Sequence, residues 1–338
     1  MATMTLDGNL SLQISKDPQK HRVVTEEIDG LIRVYNDGHV ERFQIVPCVT
    51  SILSPEFGVN SGDIVIDKLS KIWARFYVPK YHGKKIPLLV YFHGGGFCVG
   101  SAAWSCYHDF LAKLAAGANC IIMSVNYSLA PENPLPAAYE DGFKALMWIK
   151  QQALSGVTDH QWWSSHCNFC NIFLAGDSAG ASIAYNVALR IGDAATTLKP
   201  MGIKGTILVQ PFFGGETRTH SEKFMVQPPR SALSLAASDT YWRLSLPTGA
   251  NRDHPWCNPL ARGANKLQDL GVLVCVSEMD ILKDRTLEFC AALANAGNKV
   301  EHAAYKGVGH AFQVLSKSPL SQTRTLEMIS HIKGFISR

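Results

Sequence analysis

Ser178 lies in Gly176-Asp177-Ser178-Ala179-Gly180, a Gly-x-Ser-x-Gly pattern. The apolar run Asn171-Ile172-Phe173-Leu174-Ala175 precedes it, and Ala181-Ser182-Ile183-Ala184-Tyr185-Asn186-Val187-Ala188-Leu189-Arg190 follows. The first predicts a buried strand and the second a helix. A serine at the apex of a tight strand-to-helix turn is held out at the end of a sheet, where its hydroxyl can attack. The turn is strained, so small residues must flank it, and glycine tolerates the strain best. The helix N-terminus offers free backbone N–H groups to any negative charge that develops beside the serine. Short patterns of small residues also arise by chance; the strand before and the helix after raise this one above that.

A second element sharpens the reading. Pro87-Leu88-Leu89-Val90-Tyr91-Phe92 predicts another buried strand, and it runs into His93-Gly94-Gly95-Gly96-Phe97. Three glycines after a strand let the backbone turn its amides into a cavity, where they can donate to an oxyanion. A dinucleotide loop would need Gly-x-Gly-x-x-Gly and a helix opening at once, and neither is present.

An attacking hydroxyl needs a base and a group to orient that base. Leu273-Val274-Cys275-Val276-Ser277 predicts a strand followed by Glu278-Met279-Asp280, and Val300–Tyr305 predicts the next, followed by Lys306-Gly307-Val308-Gly309-His310. An acid and a histidine thus each fall just past the end of a late strand, where open α/β sheets place reactive groups. The order Ser178, Asp280, His310 matches that of α/β-hydrolases. In these roles His310 takes the Ser178 proton and Asp280 holds the imidazole tautomer. Glu278 and Asp284 are rival acids, the latter suited to an exposed first turn of a helix. Asp177 suits a structural hydrogen-bonding role, His93 a support for the glycine loop, and His302 falls within a strand.

With these residues in view, the chain resembles plant carboxylesterases of the hormone-sensitive-lipase-like α/β-hydrolases, relatives of the gibberellin receptors. Besides the motifs above, Val34-Tyr35-Asn36-Asp37-Gly38-His39-Val40-Glu41-Arg42, Asn126-Tyr127-Ser128-Leu129-Ala130-Pro131-Glu132 and Pro134-Leu135-Pro136-Ala137-Ala138-Tyr139-Glu140-Asp141 carry the resemblance, which runs from about residue 28 to the C-terminus. It implies that the amides of Gly95, Gly96 and Ala179 form the oxyanion hole. Two positions depart from the family pattern: Ser128 stands where arginine is usual, and Ser182 where asparagine is frequent. The first is expected to weaken a local salt bridge and the second to alter packing behind the elbow.

Composition bounds the alternatives. The chain has 338 residues, 46% hydrophobic and 18% charged, enough for a substantial core. A net charge of +4, without basic clusters among aromatics, argues against nucleic acid. All apolar runs fall short of the roughly 18 residues of a membrane span. Met1–Lys20 lacks a basic start followed by an apolar segment, so no secretory signal is expected. Nine scattered cysteines, an odd number, suit reduced thiols and a cytoplasmic location, with the nucleus also open. Cys167-Asn168-Phe169-Cys170 has metal-ligand spacing but no second pair. No metal, cofactor, nucleic acid or membrane partner is expected, and the oligomeric state stays open.

Apolar runs at Leu88–Phe92, Cys120–Val125, Ile172–Ala175, Thr206–Val209, Val272–Val276 and Val300–Tyr305 alternate with helical stretches at Tyr107–Ala116, Tyr139–Gln151, Ala179–Ile191, Arg285–Ala296 and Thr323–Ile336. That alternation predicts an α/β-hydrolase fold, with a mostly parallel sheet of about eight strands covered by helices on both faces. Leu31–Tyr35 and Val40–Ile45 around Asn36-Asp37-Gly38 read as an edge hairpin, and Ile72–Val78 as a further strand. Residues 1–27 are expected to be a flexible lead or lid, and 28–338 a single domain. Within it the irregular stretch 211–259 adds to the lid. Aromatics beneath that lid would make an apolar pocket, with Phe97, Phe212 and Tyr241 as candidates.

The expected activity is hydrolysis of short- to medium-chain carboxylic esters of plant metabolites through an acyl-enzyme on Ser178. Two other uses of the frame stay open. One is a lyase, dehydratase or cyclase of specialised metabolism. The other is a ligand receptor without turnover, which retention of His310 argues against.

Overall fold

Val24–Ile28 (β1), Ile32–Tyr35 (β2) and Val40–Arg42 (β3) form a small antiparallel sheet of their own, in the order β1-β2-β3. The computed structural model describes residues 22–80, 83–155, 160–193, 198–227, 231–267 and 270–338. The hairpin expected at the edge of the main sheet is therefore separate from it. Its third strand was hidden because Val24-Thr25-Glu26-Glu27-Ile28 shows mostly exposed, charged side chains. It is held by Arg33–Glu27 across the sheet and by Arg243, which makes two hydrogen bonds of 2.8 Å to Glu26. Most of the stretch expected to be a flexible lead, residues 1–21, lies outside the described residues.

The main sheet holds Val59–Asp67 (β4), Ile72–Pro79 (β5), Ile86–Phe92 (β6), Ile121–Asn126 (β7), Cys167–Asp177 (β8), Ile203–Val209 (β9), Gly271–Ser277 (β10) and Lys299–Tyr305 (β11). Their order is β11-β10-β9-β8-β6-β7-β5-β4, parallel from β11 to β7 and antiparallel at β5 and β4. Strand β4 was not anticipated, because Asn60, Ser61, Gly62 and Asp63 break its apolar pattern.

The period of two along each strand sends neighbouring side chains into two different cores. Leu88, Val90 and Phe92 of β6 join one core, with Val272, Val274 and Val276 of β10. Leu89 and Tyr91 join the other, with Leu273 and Cys275. Helices Ala137–Leu154 (α2), Ala179–Asp193 (α4) and Lys283–Asn295 (α7) cover the first face through Leu146, Ile183 and Phe289. Ser105–Ala118 (α1) and Pro319–Ile336 (α9) cover the second through Leu111 and Ile332, while Gln161–Ser164 (α3) and Phe312–Leu315 (α8) are single turns between larger elements. Burial on both faces explains why these strands read as continuous apolar runs.

Because β6, β8, β9, β10 and β11 run parallel, their C-terminal ends share one edge of the sheet. His93, Ser178, Gln210, Asp280 and His310 all follow those ends.

The stretch expected to be irregular carries two helices above that edge, His220–Phe224 (α5) and Leu235–Ser245 (α6). Thr219 and Glu222 form a capping box at α5, and the Ser234 hydroxyl caps α6. Pro228 and Pro229 lie outside the described residues.

Candidate active site

The elbow is built from the backbone outward. Strand β8 ends at Asp177, α4 starts at Ala179, and Ser178 between them has φ +52°. A left-handed non-glycine residue costs on the order of 1–3 kcal/mol and persists only where its surroundings hold it. Here the Ser178 amide donates to the Val209 carbonyl (2.9 Å), and its carbonyl accepts from the amides of Ala181 and Phe212, each 3.0 Å away. Gly180 passes so close to β6 that a Cβ there would overlap the Phe92 carbonyl. Ser182, the second departure from the family pattern, donates its hydroxyl to the Phe212 carbonyl at 2.6 Å and so fastens α4 to the segment after β9. At the first departure, the Ser128 amide donates to Asp141 (2.9 Å), and Lys144 lies 3.6 Å from the same carboxylate.

Three side chains from three strand ends meet at this apex. His310 Nε2 lies 2.8 Å from Ser178 Oγ, and His310 Nδ1 lies 2.7 Å from Asp280 Oδ2. The other oxygen of Asp280 accepts from the Leu282 amide at 3.0 Å. All three side chains are buried. Burial alone would lower the His310 pKa; the charge of Asp280 and the hydrogen bond to it outweigh that and raise it. An imidazole so placed can take a hydroxyl proton at Nε2 while its Nδ1–H stays on the carboxylate. The rival acids are engaged elsewhere. Glu278 accepts from the Gly307 amide at 2.8 Å, and Asp284 from the Ser221 amide at 2.6 Å.

The glycine loop is clamped from below. Asp177 is fully buried and accepts from the Tyr91 hydroxyl (2.7 Å), the Tyr107 hydroxyl (2.9 Å) and the Gly94 amide (3.1 Å). Burial pushes its carboxyl up to about 6, against the pull of the two tyrosine hydrogen bonds. His93 stacks on Tyr127 with ring centres 4.3 Å apart, and its Nδ1 donates to the Gly94 carbonyl at 2.8 Å. Burial lowers the His93 pKa to about 4, so the ring is neutral near pH 7. With Gly94 held, the loop continues through Gly95 and Gly96 at φ +116° and +57°. Neither of their amides donates to another described residue.

A cavity of about 270 Å³ opens above this floor. Gly95, Gly96, Ser178 and His310 line it, while Ala179 is fully buried at the start of α4 and does not. Phe212 and Tyr241 are wall residues, and the Tyr241 ring packs so tightly on Gly96 that any Cβ there would overlap it. Phe97 is not a wall residue. Its backbone is left-handed (φ +63°) and its buried ring packs against Trp242, ring centres 5.5 Å apart. Sequence reasoning missed the other apolar wall residues, Leu31, Ile45, Val99, Trp104, Leu233 and Leu315. Leu31 and Ile45 flank the small sheet and Leu233 precedes α6, so no motif marks them. Among the described residues, the one carboxylate of the wall besides Asp177 is Asp29. A larger hollow of about 460 Å³ lies by α1 and α9 with Asp109 and Lys113, away from Ser178.

Comparison with known proteins agrees with this architecture. A sequence profile of the alpha/beta hydrolase fold matches residues 89–314. The chain is 51% identical over 320 residues to "Probable carboxylesterase 6" of Arabidopsis thaliana, covering 94% of this chain and 92% of that protein. It is 38% identical over 307 residues to "2-hydroxyisoflavanone dehydratase" of Glycyrrhiza echinata, covering 86% of this chain and 90% of that one. Among solved structures it is similar to an esterase of Pyrobaculum calidifontis, with TM-score 0.68 and 26% identity over 82% of this chain and 85% of that one. No helix among the described residues is long and apolar enough to cross a membrane. By sequence and by fold, the chain belongs to the α/β-hydrolase family, among the plant carboxylesterases.

Proposed function

We propose that this protein is a serine carboxylesterase acting on neutral esters of short to medium acyl chain through an acyl-enzyme on Ser178. The observation that carries the reading is the imidazole of His310, set between a hydroxyl at 2.8 Å and a carboxylate at 2.7 Å on the floor of an apolar cavity. His310 takes the hydroxyl proton as Ser178 Oγ attacks the ester carbonyl carbon, then returns it to the departing alcohol oxygen. A water deprotonated by the same nitrogen attacks the acyl-serine and frees the acid. The amides of Gly95, Gly96 and Ala179 receive the oxyanion, and each such donor is worth about 100- to 1,000-fold in turnover. Asp177 acts one layer back, by fixing the Gly94 amide. The cavity, about 270 Å³, falls near the small end of ligand sites, which run from roughly 300 Å³ upward. Its described lining is mostly apolar, with Leu31, Val99, Phe212 and Leu233 among it, which suits a neutral ester. Nine free thiols suit a reducing, cytosolic compartment.

The relative named as a dehydratase supports a second reading, in which the same base abstracts a carbon-bound proton and no acyl-serine forms. One experiment separates the two. The wild type should hydrolyse p-nitrophenyl acetate or butyrate, and an alkyl phosphonate should label Ser178. Ser178→Ala should lose both. Wild-type turnover in that variant would sink the esterase reading.

A further inference from the structure

The segment after β9 touches all three strand ends that carry the reacting groups. The Val209 carbonyl and the Phe212 amide hold the backbone of Ser178 from either side, at 2.9 and 3.0 Å. Between them, Gln210 donates its own amide to the Cys275 carbonyl of β10 (2.8 Å). Its side chain spans the rest. Oε1 accepts from the amide of Ala311 at 2.6 Å, one residue after His310, and Nε2 donates to the Ser277 hydroxyl at 2.5 Å, three residues before Asp280. The orientation of the side-chain amide is settled chemically, since a backbone N–H must meet the oxygen.

Gln210 is fully buried, its φ is +47°, and a proline follows it. A left-handed non-glycine residue is costly unless its surroundings hold it. Ala311 is also left-handed, at φ +55°, and is the N-cap of the short helix Phe312–Leu315, so the histidine loop enters that helix through a turn whose amide is pinned by this one side chain. Among the described residues, the other side-chain links between the acid loop and the base loop are the His310–Asp280 contact itself and the bond from the Gly307 amide to Glu278 at the exposed rim; the amides of Glu278 and Met279 add backbone bonds to the Tyr305 and Val308 carbonyls.

We infer that Gln210 is a positioning residue for the reaction, setting the separation of the Asp280 and His310 loops and aiming the imidazole at Ser178. It touches no substrate and acts through Ala311 and Ser277. The inference rests on the esterase reading above.

Gln210→Met keeps the length and removes both side-chain hydrogen bonds. It should lower kcat for p-nitrophenyl butyrate by about 10- to 100-fold with KM within about threefold of wild type, the scale expected when a reacting group is displaced by about 1 Å. The acid limb of kcat/KM should also move to lower pH. The charged groups acting on His310 are Asp280 and Asp177, and loosening the first lowers the imidazole pKa. Ser277→Ala removes only the far anchor and should shift both readouts the same way, by less; it decides the matter if Gln210→Met does not fold. A folded Gln210→Met with wild-type kcat and pH profile, or a Ser277→Ala with neither change, overturns the inference. Ser178→Ala is assayed alongside. If it is inactive while Gln210→Met is normal, only the role of Gln210 falls; if it turns over at wild-type rate, the esterase reading falls and the inference with it.

Discussion

Replacing Asp280 by Asn tests the acid assignment with almost no change of shape. One carboxylate oxygen faces His310 Nδ1 at 2.7 Å and the other faces the Leu282 amide at 3.0 Å, so both positions require an acceptor. A side-chain amide supplies only one. If its oxygen stays on Leu282, its NH₂ faces Nδ1 and forces the imidazole proton onto Nε2, where it blocks transfer from Ser178. If it flips, two buried donors oppose each other at Leu282, at a cost of about 1–3 kcal/mol, or about 5- to 150-fold. The tautomer inversion is the more damaging outcome and lowers kcat by up to about 10,000-fold in enzymes with the same three groups. The expected result is a loss between these bounds, measured as kcat on p-nitrophenyl butyrate, with thermal unfolding followed in parallel. Glu278→Gln and Asp284→Asn serve as controls, because their carboxylates accept from Gly307 and Ser221 instead. A loss confined to Asp280→Asn fits the geometry. Asp280→Asn within threefold of wild type, or an equal loss in either control, would refute it.

Three further outcomes follow from the same contacts. In the proposed reaction His310 acts as a neutral base, and Asp280 raises its pKa above the ordinary 6.5 against the opposing effect of burial, so kcat/KM should fall as pH drops through that raised value; a flat profile to pH 5 would contradict the role of the imidazole. Gly96→Ala would need a left-handed alanine whose Cβ overlaps the Tyr241 ring, and should cost about 100-fold in kcat through a displaced oxyanion donor; wild-type turnover would place Gly96 outside the oxyanion site. Trp242 is fully buried and stacked on Phe212 with ring centres 4.7 Å apart, so Trp242→Ala should lower stability in urea by about 3–5 kcal/mol; a loss below about 1 kcal/mol would show that the core behind Phe212 closes over the void.

What the sequence disclosed, and what it hid, follows from how local each constraint is. The elbow and the glycine loop are short, and their backbone demands restrict the residues in them. Ser178 and the turn around Gly94–Gly96 were therefore legible without coordinates. Asp280 was legible because the continuous apolar run of β10 marks where that strand ends, and His310 because it stands in a glycine-flanked loop after β11, an edge strand whose Glu301 and His302 are exposed. Strand β1 was not, because its glutamates are fixed by tertiary contacts, Glu27 by Arg33 on the neighbouring strand and Glu26 by Arg243, 217 residues away. Phe97 was expected in the cavity because it adjoins the glycine loop. Its direction depends on a positive φ that only the folded backbone shows. Gln210 carries no motif at all, since its partners lie 67 and 101 residues away.

The small N-terminal sheet and helix α6 meet through the exposed Arg243–Glu26 pair. Leu31 and Ile45 come from the one side and Leu233 and Tyr241 from the other, and all four line the same hollow. The reacting groups hang instead from strand ends of the large sheet. Reactivity and choice of guest are thus written on different pieces of the polypeptide. Substitutions in the outer pieces can retune which ester is admitted while leaving the bond-breaking groups in place.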